Sequence, residues 1–185
     1  GKIGGVARMA TILKQWRQTW QDGILVDVGN ATVPSHPQRE TVNSFTYDAL
    51  EKLRYDVVNI GENEVGLSLE DLRTLAKDRS FKIISASLVR ADTRAPVFPP
   101  YYILERARRK IGFIGLVHTD VGPKGLGKGL RLLDPDAALR QNLAIIRPQC
   151  DLVVVLAFLT PEEIYKLARQ YPEVDVFLGG LTPVS

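Results

Sequence analysis

The apolar positions of the chain change period repeatedly, from helical spacing to short unbroken runs and back, and these changes divide it into alternating helices and strands. Val6, Met9, Ala10, Ile12, Leu13, Trp16 and Trp20 recur at helical spacing, with Arg8, Lys14, Gln15 and Gln18 on the other face. This predicts a first helix whose two tryptophans are packing residues. Asp22-Gly23 turns the chain into Ile24–Gly29, a compact run that reads as a buried strand. A loop from Ala31 to Arg39 carries Pro34, His36 and Pro37, and a second helix from Thr41 to Arg54 points Val42, Phe45, Ala49, Leu50 and Leu53 inward. Val57, Val58 and Ile60 form the next buried strand. Ser68 is the N-cap of a helix reaching about Lys77, with Asp71 in the capping-box place.

The same alternation continues to the end. Phe81–Ala86 is a strand, Ala91–Pro100 a proline-rich connection, and Tyr101–Glu105 and Lys110–Val117 are two strands joined by a basic turn. Gly112 and Gly115 weaken the second of these by propensity. Residues His118 to Leu130 hold Gly122, Gly125, Gly127 and Gly129 with Lys124 and Lys128. Their spacing fits neither of the glycine-rich phosphate-binding patterns, so they read as a loop. Asp134 caps a helix that has Pro135 at its first position. Leu152–Leu159 is the strongest strand, Thr160-Pro161-Glu162-Glu163 starts a helix reaching about Gln170, and Val174–Leu178 is the last strand. Strands and helices joined in turn by short links predict an α/β fold with a largely parallel central sheet flanked by helices, without internal repeat or dividing linker.

Composition narrows this picture. A chain of 185 residues, 45% hydrophobic and 24% charged, makes one globular domain with a real core. A net charge of +3 gives no case for nucleic acid. The basic cluster Arg106, Arg108, Arg109 and Lys110 reads as a solvated turn. The single cysteine, Cys150, rules out an intrachain disulfide and reads as a small core residue. No run is long enough to span a membrane, and no signal peptide is visible. The first residue is Gly1, which fits a processed chain or a piece of a longer one.

The candidate chemistry lies at Tyr55–Gly66. The strand ends at Gly61, and Glu62, Asn63 and Glu64 follow at its C-terminal end, where open α/β sheets bind their ligands. Gly61-Glu62-Asn63-Glu64 resembles the Gly-Asn-His-Glu signature of the calcineurin-like metallophosphoesterases, in their 5′-nucleotidase branch. Six further segments resemble the same family in the same order. They are Gly4–Arg8, Leu25–Asn30, Ser85-Ala86-Ser87, Lys110–Leu116, Leu152–Thr160 and Val174–Pro183. The resemblance implies a metallophosphoesterase-like layered fold over nearly the whole chain. It also implies that the first strand, with its Asp-x-His motif, and the C-terminal strands of the family lie outside these residues.

Family enzymes use two divalent metal ions about 3.5–4 Å apart. By the resemblance, the bridging Asp of the family falls on Asn30, its ligand Asn on Glu62 and its catalytic His on Asn63. The His of its Ser-His motif falls on Phe158, and the two His of its last motif on Leu181 and Pro183. An amide brings no negative charge, and Phe, Leu and Pro side chains bring no lone pair. His118 matches no motif position, and His36 reads as a solvent-facing loop residue. The remaining oxygen donors, Asp27, Glu62 and Glu64, are candidates for one hard cation, against the reading of Glu62 and Glu64 as solvated turn residues. The expected function is a catalytically inactive metallophosphoesterase-like domain without cofactor, serving a binding or structural role for a protein partner or within a larger protein. The alternative is a divergent metal-dependent phosphoesterase. A periplasmic or extracellular setting is implied by the resemblance alone.

Overall fold

A computed structural model describes residues 5–33, 35–120 and 125–181. In chain order its elements are α1 (Val6–Thr19), β1 (Val26–Asp27), α2 (Arg39–Lys52), β2 (Val57–Asn59), α3 (Glu62–Val65), α4 (Leu69–Ala76), β3 (Lys82–Ile84), β4 (Leu88–Arg90), β5 (Tyr101–Arg106), β6 (Arg109–Val117), β7 (Leu130–Leu132), α5 (Pro135–Ile146), β8 (Leu152–Phe158), α6 (Pro161–Gln170) and β9 (Val176–Gly179).

The expected layered α/β fold is present, and its parallel strands are divided between two sheets. One has the order β1-β2-β3, all parallel; the other has the order β5-β6-β8-β9, parallel except for the β5–β6 hairpin. Strand alternation explains the layering, because successive side chains point to opposite faces. Val57 and Ile84 from the first sheet pack against Ile111, Phe113 and Leu156 from the second, so the sheets lie face to face. Val58, Ile60 and Ile83 point the other way, onto Tyr47 and Leu50 of α2 and Leu72 and Leu75 of α4. Ile114, Leu116, Val153 and Val155 cover the outer face of the second sheet with Leu139, Leu143 and Ile146 of α5 and Leu167 of α6. Strands covered on both faces need apolar residues at nearly every position, which is why they read as unbroken runs.

Asn59 is buried between the sheets. Asn59 donates its side-chain amide to the carbonyls of Val28, Leu116 and Leu156 at 2.9–3.0 Å. Those three carbonyls follow β1 and lie within β6 and β8, so one amide joins the two sheets. Gly115 leaves the room for it: a Cβ there would stand 2.3 Å from Asn59 Oδ1. The glycine that weakens β6 by propensity is a packing requirement.

Local start signals are realised where predicted. Ser68 Oγ accepts from Asp71 N–H, Asp134 Oδ1 from Ala137 N–H, and Thr160 and Glu163 form a reciprocal capping box. Cys150 is buried beside Ile146.

Other expectations are corrected. Of the apolar positions of α1 only Leu13 is buried, and Trp16 and Trp20 remain 62% and 68% exposed. Helical spacing marks a face, and this one is largely uncovered. In α2, Phe45 is 65% exposed and Tyr47 takes the core position. The Ile24–Gly29 strand shrinks to a two-residue, half-buried edge, since β1 pairs with β2 alone. The residues after Gly61 are a helical turn, α3. The antiparallel pair β4–β7 is not among the strands read from the sequence, because two three-residue strands leave too short a pattern to read. Lys124 and Gly122 of the glycine-rich stretch lie outside the described residues.

Candidate functional site

Two glycines bring the C-terminal ends of β1 and β2 together. Gly29 has φ of 120°, and a Cβ on it would meet Gly61 N at 2.6 Å; a Cβ on Gly61 would meet Asn30 N at 2.4 Å. Only glycine permits backbones this close. Asn30 follows in the left-handed region at φ 66°, where Asn is among the better-tolerated side chains.

Glu64 fastens the junction. Its side chain is fully buried, against the solvated reading of that turn. Oε2 accepts from Asn30 N–H at 2.9 Å and Gly61 N–H at 2.8 Å, and Oε1 accepts from the N–H and hydroxyl of Thr32, both at 2.7 Å. A carboxylate offers about four lone-pair directions, and these four donors use them. A buried charge is tolerated when hydrogen bonds replace its hydration, and here three backbone N–H groups and a hydroxyl do so. The two neighbouring positions complete the tie. Asn30 Oδ1 accepts from Asn63 N–H, and Asn63 Nδ2 donates to Thr32 O, each at 2.8 Å.

Asp27 is half-buried and accepts from Gly29 N–H at 2.8 Å. Burial pushes its carboxyl above the ordinary range; the Gly29 bond opposes this, and the negative charge of Glu64 adds to it. Burial also raises the Tyr47 phenol well above its usual range, with the charges of Glu64 and Asp27 acting in the same direction.

The second half of the site is apolar. Phe158, at the end of β8, is 2% exposed and belongs to the core cluster against which half-buried Leu181 packs. Gly180 lies close to both Phe158 and Val28, so the end of β9 reaches the end of β1. His118 follows β6, donates its backbone N–H to Phe158 O at 3.0 Å, and holds its ring 6.1 Å from that of Phe158. Its Nε2 is buried with no hydrogen-bond partner among the described residues.

The structure therefore gathers Asn30, Asn63 and Glu64 into one hydrogen-bonded junction and Phe158 and Leu181 into one apolar cluster. Glu62 is half-buried beside the junction, and Pro183 lies outside the described residues. His36 is exposed, and its Nδ1 accepts from Gln38 N–H.

The residues do not fit the family's pair of divalent ions. Among the described residues no three His, Cys, Asp or Glu side chains come together as metal ligands. Of the three oxygen donors, Glu64 has both oxygens committed to protein donors and Asp27 has one committed to Gly29. Sequence reasoning overlooked Thr32 and the bonding of Glu64. A signal existed, since Glu three residues after Gly61 occupies the capping-box place at the start of α3, and its carboxylate does accept from the Gly61 N–H. Nothing in the pattern around His118 announces its burial.

No protein-family profile matches the chain. The chain is 28% identical over 135 residues to a 2′,3′-cyclic-nucleotide 2′-phosphodiesterase/3′-nucleotidase of Haemophilus influenzae, covering 63% of this chain and 20% of that protein. Its fold superposes on a 5′-nucleotidase precursor from Thermus thermophilus with a TM-score of 0.82 at 25% identity, covering 96% of this chain and 36% of that one. It superposes equally on a calcineurin-like phosphoesterase from Bacillus subtilis, TM-score 0.82 at 20% identity, covering 98% of this chain and 66% of that one. The chain spans 20–36% of the length of curated relatives such as these nucleotidases. Over most of its length the chain is similar in sequence to 5′-nucleotidases and an apyrase, and it shares the fold of a calcineurin-like phosphoesterase.

Proposed function

We propose that this is a catalytically silent metallophosphoesterase-like domain, with a binding or structural role inside a larger protein or complex. The observation that carries the reading is the occupation of Glu64. The acidic side chain best placed among the former motif positions has both oxygens filled by the protein's own donors. Asn30 and Asn63 bond to that same junction, and Phe158 and Leu181 pack apolar carbon where the family resemblance implies imidazoles. A two-metal site clamps phosphoryl oxygens and activates water through its ions. This set of side chains offers such ions few free donors. It offers a phosphate no cationic side chain from the junction itself.

The relatives' names, nucleotidase and phosphodiesterase, favour the alternative of a divergent hydrolase, for which Glu62 and Asp27 are the remaining oxygen donors. Hydrolysis of nucleoside monophosphates, cyclic nucleotides and a chromogenic phosphodiester separates the two. With magnesium, manganese or zinc present, the silent-domain reading predicts turnover no faster than buffer. Metal-dependent turnover that disappears in Glu62→Ala would establish the hydrolase instead. By family resemblance we place the domain in a periplasmic or extracellular setting; none of the described helices is long and apolar enough to cross a membrane.

A further inference from the structure

The residues that lead into β7 cross over α3. Gly127 donates its N–H at 2.8 Å to Val65 O, the carbonyl that ends α3. A Cβ on Gly127 would stand 1.9 Å from Leu67 O, the closest such approach among the described glycines. A Cβ on Gly66 would stand 3.6 Å from Gly125 O. Behind the crossing, Leu130 is buried in the same core cluster as Val65 and Leu67. Gly125 and Gly129 flank Gly127 at positive φ, 63° and 78°, which glycine adopts readily.

α3 depends on outside support. It is four residues long, and a single helical turn does not stand alone in water. Its last carbonyls have no partner within the helix, and Gly127 supplies one from far along the chain. On its other side the Glu64 carboxylate accepts from Asn30, Gly61 and Thr32. The turn that carries Glu64 is therefore held twice, by the junction and by the crossing segment. The segment itself is lightly held. Leu126, Lys128 and Gly129 are exposed. Among the described residues its ties to other elements are the Gly127 bond and the bond that Ala91 N–H makes to Gly129 O at 2.8 Å. Segments with few buried apolar contacts open at lower free energy than the core.

We infer that residues 125–130 form a strap that keeps α3 closed on the junction, and that strap and α3 open together while the two facing sheets stay folded. Opening breaks the Gly127–Val65 bond, frees the C-terminal end of the turn and lets Glu64 leave its donors. Gly127 is a positioning residue, acting on Glu64 through Val65 and Leu67. Only a residue without a Cβ brings the strap this close to Leu67 O. Whatever displaces the strap exposes the junction, so closure of this end of the sheet is controlled there. The inference deepens the silent-domain reading by naming what holds Glu64 in place, and it rests on that reading.

Amide hydrogen exchange of the whole chain, read residue by residue by NMR in low urea, tests this. The hydrogen-bonded amides of Val65, Leu67 and Gly127 should share one opening free energy and one urea dependence, both below those of β6 and β8. Gly127→Ala should speed exchange at Val65 and Leu67 about tenfold or more and leave β6 and β8 unchanged. Gly125→Asn is the control. A Cβ there meets nothing within 4 Å and Asn tolerates positive φ, so exchange at Val65 and Leu67 should stay as in the wild type. Distinct opening free energies for Val65 and Gly127 in the wild type would overturn the inference. Unchanged exchange at Val65 and Leu67 in Gly127→Ala would overturn it too, as would an equal acceleration in Gly125→Asn. Acceleration that extends equally to β6 and β8 would overturn it in favour of a plain core-packing position. Should Gly127→Ala not fold, the wild-type urea series decides alone. Metal-dependent hydrolysis would remove the silent-domain reading and leave the exchange result standing. Uncoupled exchange would remove the strap and leave the hydrolysis result standing.

Discussion

The two ends of the first sheet have opposite characters. At the C-terminal ends of β1 and β2 both oxygens of Glu64 are met within the protein, and Phe158 and Leu181 nearby are apolar and packed. At the N-terminal ends Trp16 and Trp20 are largely exposed among the described residues and line a cavity with Arg17, Arg54 and Arg106. The resemblance places chemistry at the first end, and the periodicity places core at the second. The structure uses the first for its own cohesion and leaves the second as surface. Motif positions and apolar stripes thus report geometry, and the partners each side chain finds decide its use.

The largest effect should come from Glu64→Ala. It removes a buried acceptor and strands three backbone N–H groups and the Thr32 hydroxyl, at a cost of about 3–5 kcal/mol. Urea unfolding should show a much lower midpoint; a change below about 1 kcal/mol would mean the junction is not what closes that end. Phe158→His should cost about 2–4 kcal/mol, from lost apolar burial and an imidazole with few partners. If it instead preserved stability and created metal binding, the closed end would be a latent metal site. Gly61→Ala should cost about 1–3 kcal/mol, because a Cβ 2.4 Å from Asn30 N forces the two loops apart. A neutral result by the same assay would show that the loops can separate freely.

Asp27→Asn should have a smaller effect, recognisable by its pH dependence. Burial, reinforced by Glu64, raises the Asp27 carboxyl in the folded state. A raised carboxyl contributes stability that is fully present below its unfolded value, near 4, and lost as pH rises through the folded value. The wild type should therefore lose stability relative to Asp27→Asn as pH rises above about 4, read as a widening difference in Tm. A constant difference would deny that burial and Glu64 act on this carboxyl. Smallest of all, Trp16→Ser and Trp20→Ser should each change stability by less than about 0.5 kcal/mol, as surface substitutions do. A loss of several kcal/mol would make the tryptophans core residues after all.

Much of the fold was legible because its strands are covered on both faces and its helices carry N-caps. Val57–Ile60, Leu152–Leu159, Ser68, Asp134 and Thr160 each announce themselves within a few residues. The division into two sheets is not local information. It depends on which strand pairs with which, and no periodicity encodes that. At the site, the resemblance pointed to Asn30, Glu62, Asn63, Phe158, Leu181 and Pro183; the structure joins Asn30 and Asn63 with Glu64 in one junction and Phe158 with Leu181 in one apolar cluster, while Glu62 stands beside the junction and Pro183 lies outside the described residues. The saturation of Glu64 was legible only as the capping-box spacing, since Thr32 approaches from 32 residues away in sequence. The exposure of α1 was illegible for the converse reason. Helical spacing identifies an apolar face without saying whether the rest of the molecule reaches it.

The most direct test of the central claim is calorimetric titration of the chain with manganese and with zinc. The closed junction predicts no saturable binding at micromolar metal. Two equivalents bound at micromolar affinity, with loss of both in Glu62→Ala, would contradict it and put a metal centre back at the end of the sheet.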